Sequence, residues 1–512
     1  MLAASRSQDV DFTDGGRRPA NRPEEPARDC RGTPDGLTFR QSSSRVRASV
    51  QTIAASEKRT NGAVTTGRGG SGPLSTIGES ESAKADDKPA WSVGGRNYVL
   101  VLLTAVAAIN FLDRQILGVL LEPIREEFGL ADWVLGLLTG FAFAVFYASL
   151  GIPIAALADR FSRRNIIVIC TGIFSVMTAV CGGAQNFWHL FLARIGVGVG
   201  EAGTMPASQS LISNLFPVHS RATAMGLLAT GGNIGLMLGL LIGGWVNEWW
   251  GWRWAFVAAA APGLLLALTI WLTVKEPKRP PNPDTGPKPH VVKETLASIA
   301  YMARVPSLRW FTAGGALYGL TGYGLYTFMP SYFIRYHDLT TGEAGTAISI
   351  MTGVLGAIGT FVGGYVCAKL AARRGMHWNG WLPAIAITLS APFMIAMLLS
   401  DNTWLVMGLF IVPGFLSSVY AGPTWAIIQE LVSPGRRAMA ASVYMLIYNL
   451  IALGLGPVFT GTVSSLIEPT VGEQSLRYAM VAVVVISLVG AYAYMRAGRT
   501  VTRDLERLRD RA

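Results

Sequence analysis

The sequence predicts an all-α integral membrane protein, with twelve transmembrane helices in two pseudo-symmetric halves of six. Three observations carry this. Of 512 residues, 51% are hydrophobic and 15% charged, with a mean hydropathy of +0.38; polytopic membrane proteins have this balance and soluble chains of this length rarely do. Apolar runs of about 20 residues, enough to span a bilayer as a helix, recur from residue 97 to residue 497. The two halves of the chain also repeat a pattern.

The runs read as helices over 97–121, 133–157, 165–185, 188–214, 219–247, 252–274, 309–336, 342–369, 379–399, 403–431, 434–466 and 475–497. They are long and continuous, unlike the short alternating strands of a transmembrane barrel. Residues 1–93 are rich in Ser, Gly, Arg, Pro and acids; they read as a disordered cytoplasmic tail without the apolar segment of a secretory signal. Residues 94–275 form the first six-helix half. Residues 276–308 form a cytoplasmic central loop, because the prolines and charges of "VKEPKRPPNPDTGPKPH" forbid a membrane helix. Residues 309–497 form the second half, and residues 498–512 a basic cytoplasmic tail ending "TRDLERLRDRA".

The repeat is visible in "MPASQSLISNLFPVHSRATAMGLL" and "GPTWAIIQELVSPGRRAMAASVYML". Pro206 and Pro217 have the same separation as Pro423 and Pro434. Arg221 and Ala222 match Arg437 and Ala438 with one residue deleted, and Asn233 falls opposite Asn449. Two parallel halves with a path between them are a transporter architecture.

The net charge of +11 is an orientation signal. Lys and Arg concentrate in the even-numbered connections, as at Arg160, Arg163, Arg164, Lys369, Arg373, Arg374, Arg436 and Arg437; the odd-numbered ones hold Arg125, Arg253, Arg335 and Arg477. The positive-inside rule then places both termini in the cytoplasm, and nucleic acid is not an expected partner. Cys170, Cys181 and Cys367 fall in helices and Cys30 in the tail, with no zinc or disulfide spacing. No phosphate loop, metal cluster or nucleophilic triad points to an enzyme.

"ALADRFSRRNII" joins the second and third helices. It resembles the signature of the major facilitator superfamily, Gly-x-x-x-Asp-Arg-x-x-Arg-Arg. Asp159, Arg160, Arg163 and Arg164 match, and Ala155 replaces the glycine. The resemblance implies a gating loop in which Asp159 engages basic or helix-terminal groups of the other half. The equivalent "GGYVCAKLAARRG" keeps Gly364 but has Ala368 where an acid would sit. "NFLDRQILGVLLEPIREEFGL", "ARIGVGVGEAG" and "LISNLFP" are similar to the Spinster-like bacterial branch. This implies a monomeric, proton-driven carrier in the bacterial inner membrane, working by alternating access without a cofactor beyond the proton gradient. Animal members are similar to exporters of sphingolipid or lysolipid.

Within "LARIGVGVGEAG", Arg194 and Glu201 lie seven residues apart, on nearly one helix face. Gly196, Gly198 and Gly200 between them let a helix or ligand approach. Away from helix ends, the charges in the membrane region are Asp113, Arg114, Arg194 and Glu201; such charges are costly and mark function. A rise of about 1.5 Å per residue sets Asp113 level with Arg194 and Glu201 deeper, so an Asp113–Arg194 pair is geometrically open, with Glu201 nearer the substrate level. Glu201 is therefore expected to be the protonation switch, its proton affinity set by burial and a nearby arginine, with Asp113 and Arg114 coupled to it through Arg194. Weaker cavity candidates are Tyr318 and Tyr326, near helical spacing with Phe333, together with Asn233, Trp425, Tyr444, Tyr448 and Asn449. "GGNIGLMLGLLIGG" resembles an antiporter motif with Leu240 in place of its proline, and reads more simply as small-xxx-small packing.

The expected function is proton-coupled export of an amphipathic or lipid-like small molecule. A second possibility is a symporter of small organic anions bound by Arg114 and Arg194. A third, a non-transporting sensor, has no use for the buried charges.

Overall fold

In the computed structural model, residues 93–158, 161–276, 291–433 and 436–510 are described. Every regular element among them is helical. α1 (Val93–Val119) and α2 (Leu121–Phe128) cover the expected first helix and a short continuation, which ends at Gly129 with a φ of 64°. α3 begins at Asp132–Gly136, passes a π turn at Leu137–Phe141 and continues as Ala142–Ala158. α4 (Arg163–Gly182) follows. The expected fourth helix is broken into α5 (Phe187–Glu201) and α6 (Thr204–Leu215). α7 (Val218–Trp250) and α8 (Trp252–Thr273) complete the N-terminal set.

α9 (Val291–Arg304) lies in the segment expected to be loop. Ile299 and Met302, spaced three apart, bury against the C-terminal set, and Leu296 stays exposed. α10 (Pro306–His337) comes next. α11 runs Thr341–Ile348, a π turn at Ser349–Val354 and Leu355–Arg374. Then follow α12 (Trp378–Leu399), α13 (Thr403–Leu416) and α14 (Ala421–Glu430), the last two being one expected helix with a break. α15 runs Arg437–Tyr448, a π turn at Asn449–Leu455 and Gly456–Val471. α16 (Ser475–Arg509) carries on through most of the expected tail. It continues because Val501 is buried and Asp504 accepts the Ser307 backbone N–H at 3.0 Å and its hydroxyl at 2.7 Å, capping α10.

Nine helical stretches among the described residues are long and apolar enough to cross a membrane. One of them, Met439–Leu508, covers two expected passes; the broken α5–α6 pair and the glycine- and tyrosine-rich α10 are outside the nine. Large apolar side chains face outward along the bundle, among them Leu192, Leu265, Phe361 and Leu466. Exposed Trp188, Trp249, Trp250, Trp254 and Trp404 lie near helix ends on one side of it, as membrane-interface residues do.

α7 packs along α1 through Gly231, Gly235, Gly239 and Gly243. A Cβ at Gly239 would stand 2.6 Å from the Leu112 carbonyl oxygen, so these glycines serve close helix packing. The N- and C-terminal sets meet where α3 crosses α15, α7 crosses α11 and α1 crosses α10. Their polar contacts cluster at the end that holds the odd-numbered connections. There Arg335 of α10 reaches Glu122 at 2.8 Å and grips Asp132 with two nitrogens at 2.8 and 3.1 Å. Ser464 donates to Asp132 at 2.7 Å, Trp245 to Thr346 at 3.0 Å and Asn247 to Thr341 at 2.9 Å.

Candidate functional site

The four deep charges come together. α1 supplies Asp113 and Arg114, and α5 supplies Arg194 and Glu201. Successive residues on a helix point about 100° apart, so Asp113 and Arg114 reach different positions along α5. Arg194 donates to Asp113 at 3.0 Å, and the Thr178 hydroxyl of α4 donates to the other carboxylate oxygen at 2.5 Å. Arg114 donates through Nε to Glu201 at 2.6 Å. Side-chain exposure is 2% for Arg194, 1% for Asp113, 0% for Glu201 and 11% for Arg114. The expected coupling of Arg114 to Glu201 by way of Arg194 is therefore corrected. Arg194 is engaged by Asp113, and Arg114 meets Glu201 directly.

Aromatic rings enclose the cations. The Arg114 guanidinium carbon lies 4.4 Å from the Tyr147 ring centre, 4.7 Å from Phe143 and 5.2 Å from Phe111; Phe143 also faces Arg194 at 5.7 Å. These faces are attractive to a cation and exclude water. Two pairs sum to no net charge, which is how buried charges are tolerated. One Glu201 oxygen, Oε1, is buried with no hydrogen-bond partner among the described residues. The carboxylate thus holds a site for a proton beside the oxygen that binds Arg114.

The break after Glu201 fixes its position. The Thr204 hydroxyl donates to the Glu201 carbonyl at 2.8 Å, and Asn110 of α1 donates to the Thr204 hydroxyl at 3.0 Å. A Cβ at Gly203 would lie 2.5 Å from Ile154 and 2.6 Å from the Cys170 sulfur, so no larger residue fits the break as it stands. Gly200 lies on the Phe174 backbone of α4, and Gly198 on the Phe143 carbonyl of α3. The glycines between Arg194 and Glu201 serve helix packing here.

A cavity of about 270 Å³ adjoins this cluster. Phe111 and Gln115, on either side of Arg114 in sequence, line it from α1. Asn233, Tyr318, Tyr326 and Tyr448 line it as well. Tyr326 donates to Ser417 at 3.1 Å, and the Tyr420 and Tyr448 hydroxyls share a hydrogen bond at 3.0 Å. Trp425, Tyr444 and Asn449 are not in its wall. Trp425 packs edge-on against Tyr444 at 5.1 Å, Tyr444 is buried under Gly315, and Asn449 opens the π turn of α15. Phe333 is wholly buried. Gln115, Tyr323, Ser417 and Tyr420 belong to the wall and were not expected; the polar residues clustered near the α13–α14 break were the available signal.

Of the loop motif, Asp159 and Arg160 lie outside the described residues, as does the side chain of Ala155. Arg163 and Arg164 start α4, and their backbone N–H groups donate to Glu276 at 3.1 and 2.8 Å. Ser162 donates to the same carboxylate at 2.9 Å, and the Arg164 side chain reaches the Trp271 carbonyl. Glu276, at the end of the N-terminal set, is thus an acid on a helix N-terminus; it was not singled out in the sequence.

The model of the Major Facilitator Superfamily matches residues 103–457. An MFS-type efflux pump of Mycolicibacterium smegmatis is 29% identical over 436 residues, covering 85% of this chain and 99% of that protein. A D-galactonate transporter of Escherichia coli is 25% identical, covering 78% of this chain and 95% of that protein. The crystal structure of a bacterial homologue of the human lysosomal transporter Spinster, inward-facing and unoccupied, aligns with a TM-score of 0.73 at 32% identity, covering 81% of this chain and 99% of that one. The chain belongs to the major facilitator superfamily, in its Spinster-like branch, and is an integral membrane transporter.

Proposed function

We propose that the protein exports an amphipathic or lipid-like small molecule against inward proton movement, as a monomer with twelve membrane passes in two six-helix halves. It sits in the bacterial inner membrane with both termini cytoplasmic. The observation that carries this reading is the Arg114–Glu201 pair at 2.6 Å, with Glu201 fully buried and Arg114 11% exposed, beside the cavity. A proton on Glu201 removes the anion that balances Arg114. The bare guanidinium is then unfavourable where it stands, and the site must rearrange or gain another partner. That requirement links protonation to conformation.

The sealed end holds the connections poor in Lys and Arg, which supports a state closed toward the outside. Arg163, Arg164 and Glu276 then lie at the cytoplasmic end, where Asp159 and Arg160 would complete the gating loop. A second reading, symport of small organic anions, is favoured by Arg114 being the most exposed of the four charges, so that an anion could replace Glu201 on it. The test is proton movement in liposomes holding the purified protein, with a panel of lysolipids and organic acids. Lysolipid-driven flux in wild type that is lost in Glu201→Gln supports the first reading. Flux driven by organic acids alone supports the second, and flux unchanged in the variant removes Glu201 from both.

A further inference from the structure

We infer that the cavity is a binding site for an uncharged, hydroxyl-bearing group with an apolar face, such as a sugar ring. This rests on the transport reading and specifies the part of the substrate that the C-terminal set receives. The cavity reaches past α10 into that set, where Ser390 and Met394 of α12 and Val484 and Ser487 of α16 form its far wall. None of its lining residues is charged, and nearly half carry a hydroxyl. Several of those hydroxyls are taken by the fold: Thr321, Thr352, Thr360 and Ser487 each donate to a backbone carbonyl. Those of Tyr323, Ser390 and Ser418 make no hydrogen bond to protein among the described residues.

Three ligand types meet different fates in such a wall. An ion would give up its hydration with no opposite charge to face it, which is costly. A plain hydrocarbon would strip water from open hydroxyls and return nothing. A neutral ring with hydroxyls at its edge and C–H groups on its faces exchanges hydrogen bonds with Ser390 and Ser418 and lies against tyrosine rings. Tyr318 and Tyr420, edge to face at 4.8 Å, present such a surface. The volume is at the small end for ligand pockets, which suits a single ring and leaves the remainder of a longer molecule in the central path.

The probes are phenyl β-D-glucoside and phenyl β-D-glucuronide, which differ by one carboxylate on the sugar. Binding to the full chain in nanodiscs is measured for wild type, Ser390→Ala and Ser418→Ala, neither of which removes a hydrogen bond the fold uses. The glucoside is expected to bind at least tenfold more tightly than the glucuronide, and each variant to weaken it roughly three- to tenfold, the effect of one lost hydrogen bond. Equal or tighter binding of the glucuronide overturns the proposal, as does glucoside binding that ignores both variants. Proton flux with the same probes separates the two levels. Glucoside binding of the expected kind without flux upholds the pocket and counts against proton coupling. Flux driven by other compounds, with no glucoside binding, upholds transport and overturns the pocket.

Discussion

Arg335→Ala should open the end of the bundle that is sealed here. Among the described residues, Arg335 is the one cation that binds across the two sets with both nitrogens of a fork on Asp132 and a third bond to Glu122. Its side chain is 14% exposed, and those of Glu122 and Asp132 are 4% and 7% exposed. Without it, two buried carboxylates face each other with Arg125 as the remaining cation, 34% exposed and 3.1 Å from Glu122 but 3.6 Å from Asp132. Removing one partner of a buried ion pair costs about 3–5 kcal/mol. Separation of the sets lets water relieve most of that cost, so the penalty falls on the closed arrangement. At about 1.4 kcal/mol per factor of ten, the closed-to-open ratio falls by roughly two to three and a half orders of magnitude. Spin labels on the ends of α3 and α15, read by double electron–electron resonance, report the opening. Arg125→Ala, at a half-exposed site, should shift the same distances far less, by at most about 1 kcal/mol. An Arg335→Ala distance distribution identical to wild type would refute the assignment of the latch, as would equal effects of the two variants.

Three further outcomes follow from the packing and the surface charges. Gly200→Ala should lower the melting temperature and cost about 1–3 kcal/mol, because the new Cβ meets the Phe174 backbone at 2.6 Å and cannot be relieved by a rotamer; a neutral result in a thermal melt would mean that α4 and α5 yield easily. Asp504→Ala should cost about 0.5–2 kcal/mol through loss of the α10 cap, and truncation before residue 500 should reproduce the loss in melting temperature. The carboxyl of Glu127 is held below its usual range by its hydrogen bond to Arg253. Its contribution is present above the ordinary carboxylate pKa and fades as pH falls through the depressed value; because both partners are exposed, it is less than about 1 kcal/mol. Wild type and Glu127→Gln should therefore converge in stability as the medium is acidified, and a difference that widens toward acid contradicts the assignment.

The deep charges were legible because four ionised side chains in long apolar runs have no ordinary explanation. Their pairing was legible in part: the depth count put Asp113 level with Arg194, and that pair forms. That Arg114 takes Glu201 directly was not readable, because helical spacing places Arg194 and Glu201 on one face but says nothing of how α1 is rotated against it. Glu122, Asp132, Arg335 and Glu276 sit at helix ends, where a charge is unremarkable, so their contacts across loops and sets had no sequence signature. The cavity wall is built from Ser, Thr and Tyr scattered over several helices, each ordinary in its own segment. The spacing of Tyr318 and Tyr326 was readable; that Tyr444 turns under Gly315 and away from the cavity depends on packing. α9 was hidden by the prolines before it, although Ile299 and Met302 have a helical interval. The length of α16 depended on Asp504 finding Ser307, a contact between residues 197 positions apart.

The most direct measurement of proton coupling by Glu201 is made on a compound that the liposome panel shows to be transported. Exchange of that compound across the bilayer without a gradient is compared with its accumulation under an imposed proton gradient, in wild type and Glu201→Gln. The expected result is exchange within a few-fold of wild type and no gradient-driven accumulation in the variant, because the path survives and the proton site does not. Accumulation that persists in Glu201→Gln would contradict the assignment and leave the Arg114–Glu201 pair a structural feature of α1 and α5.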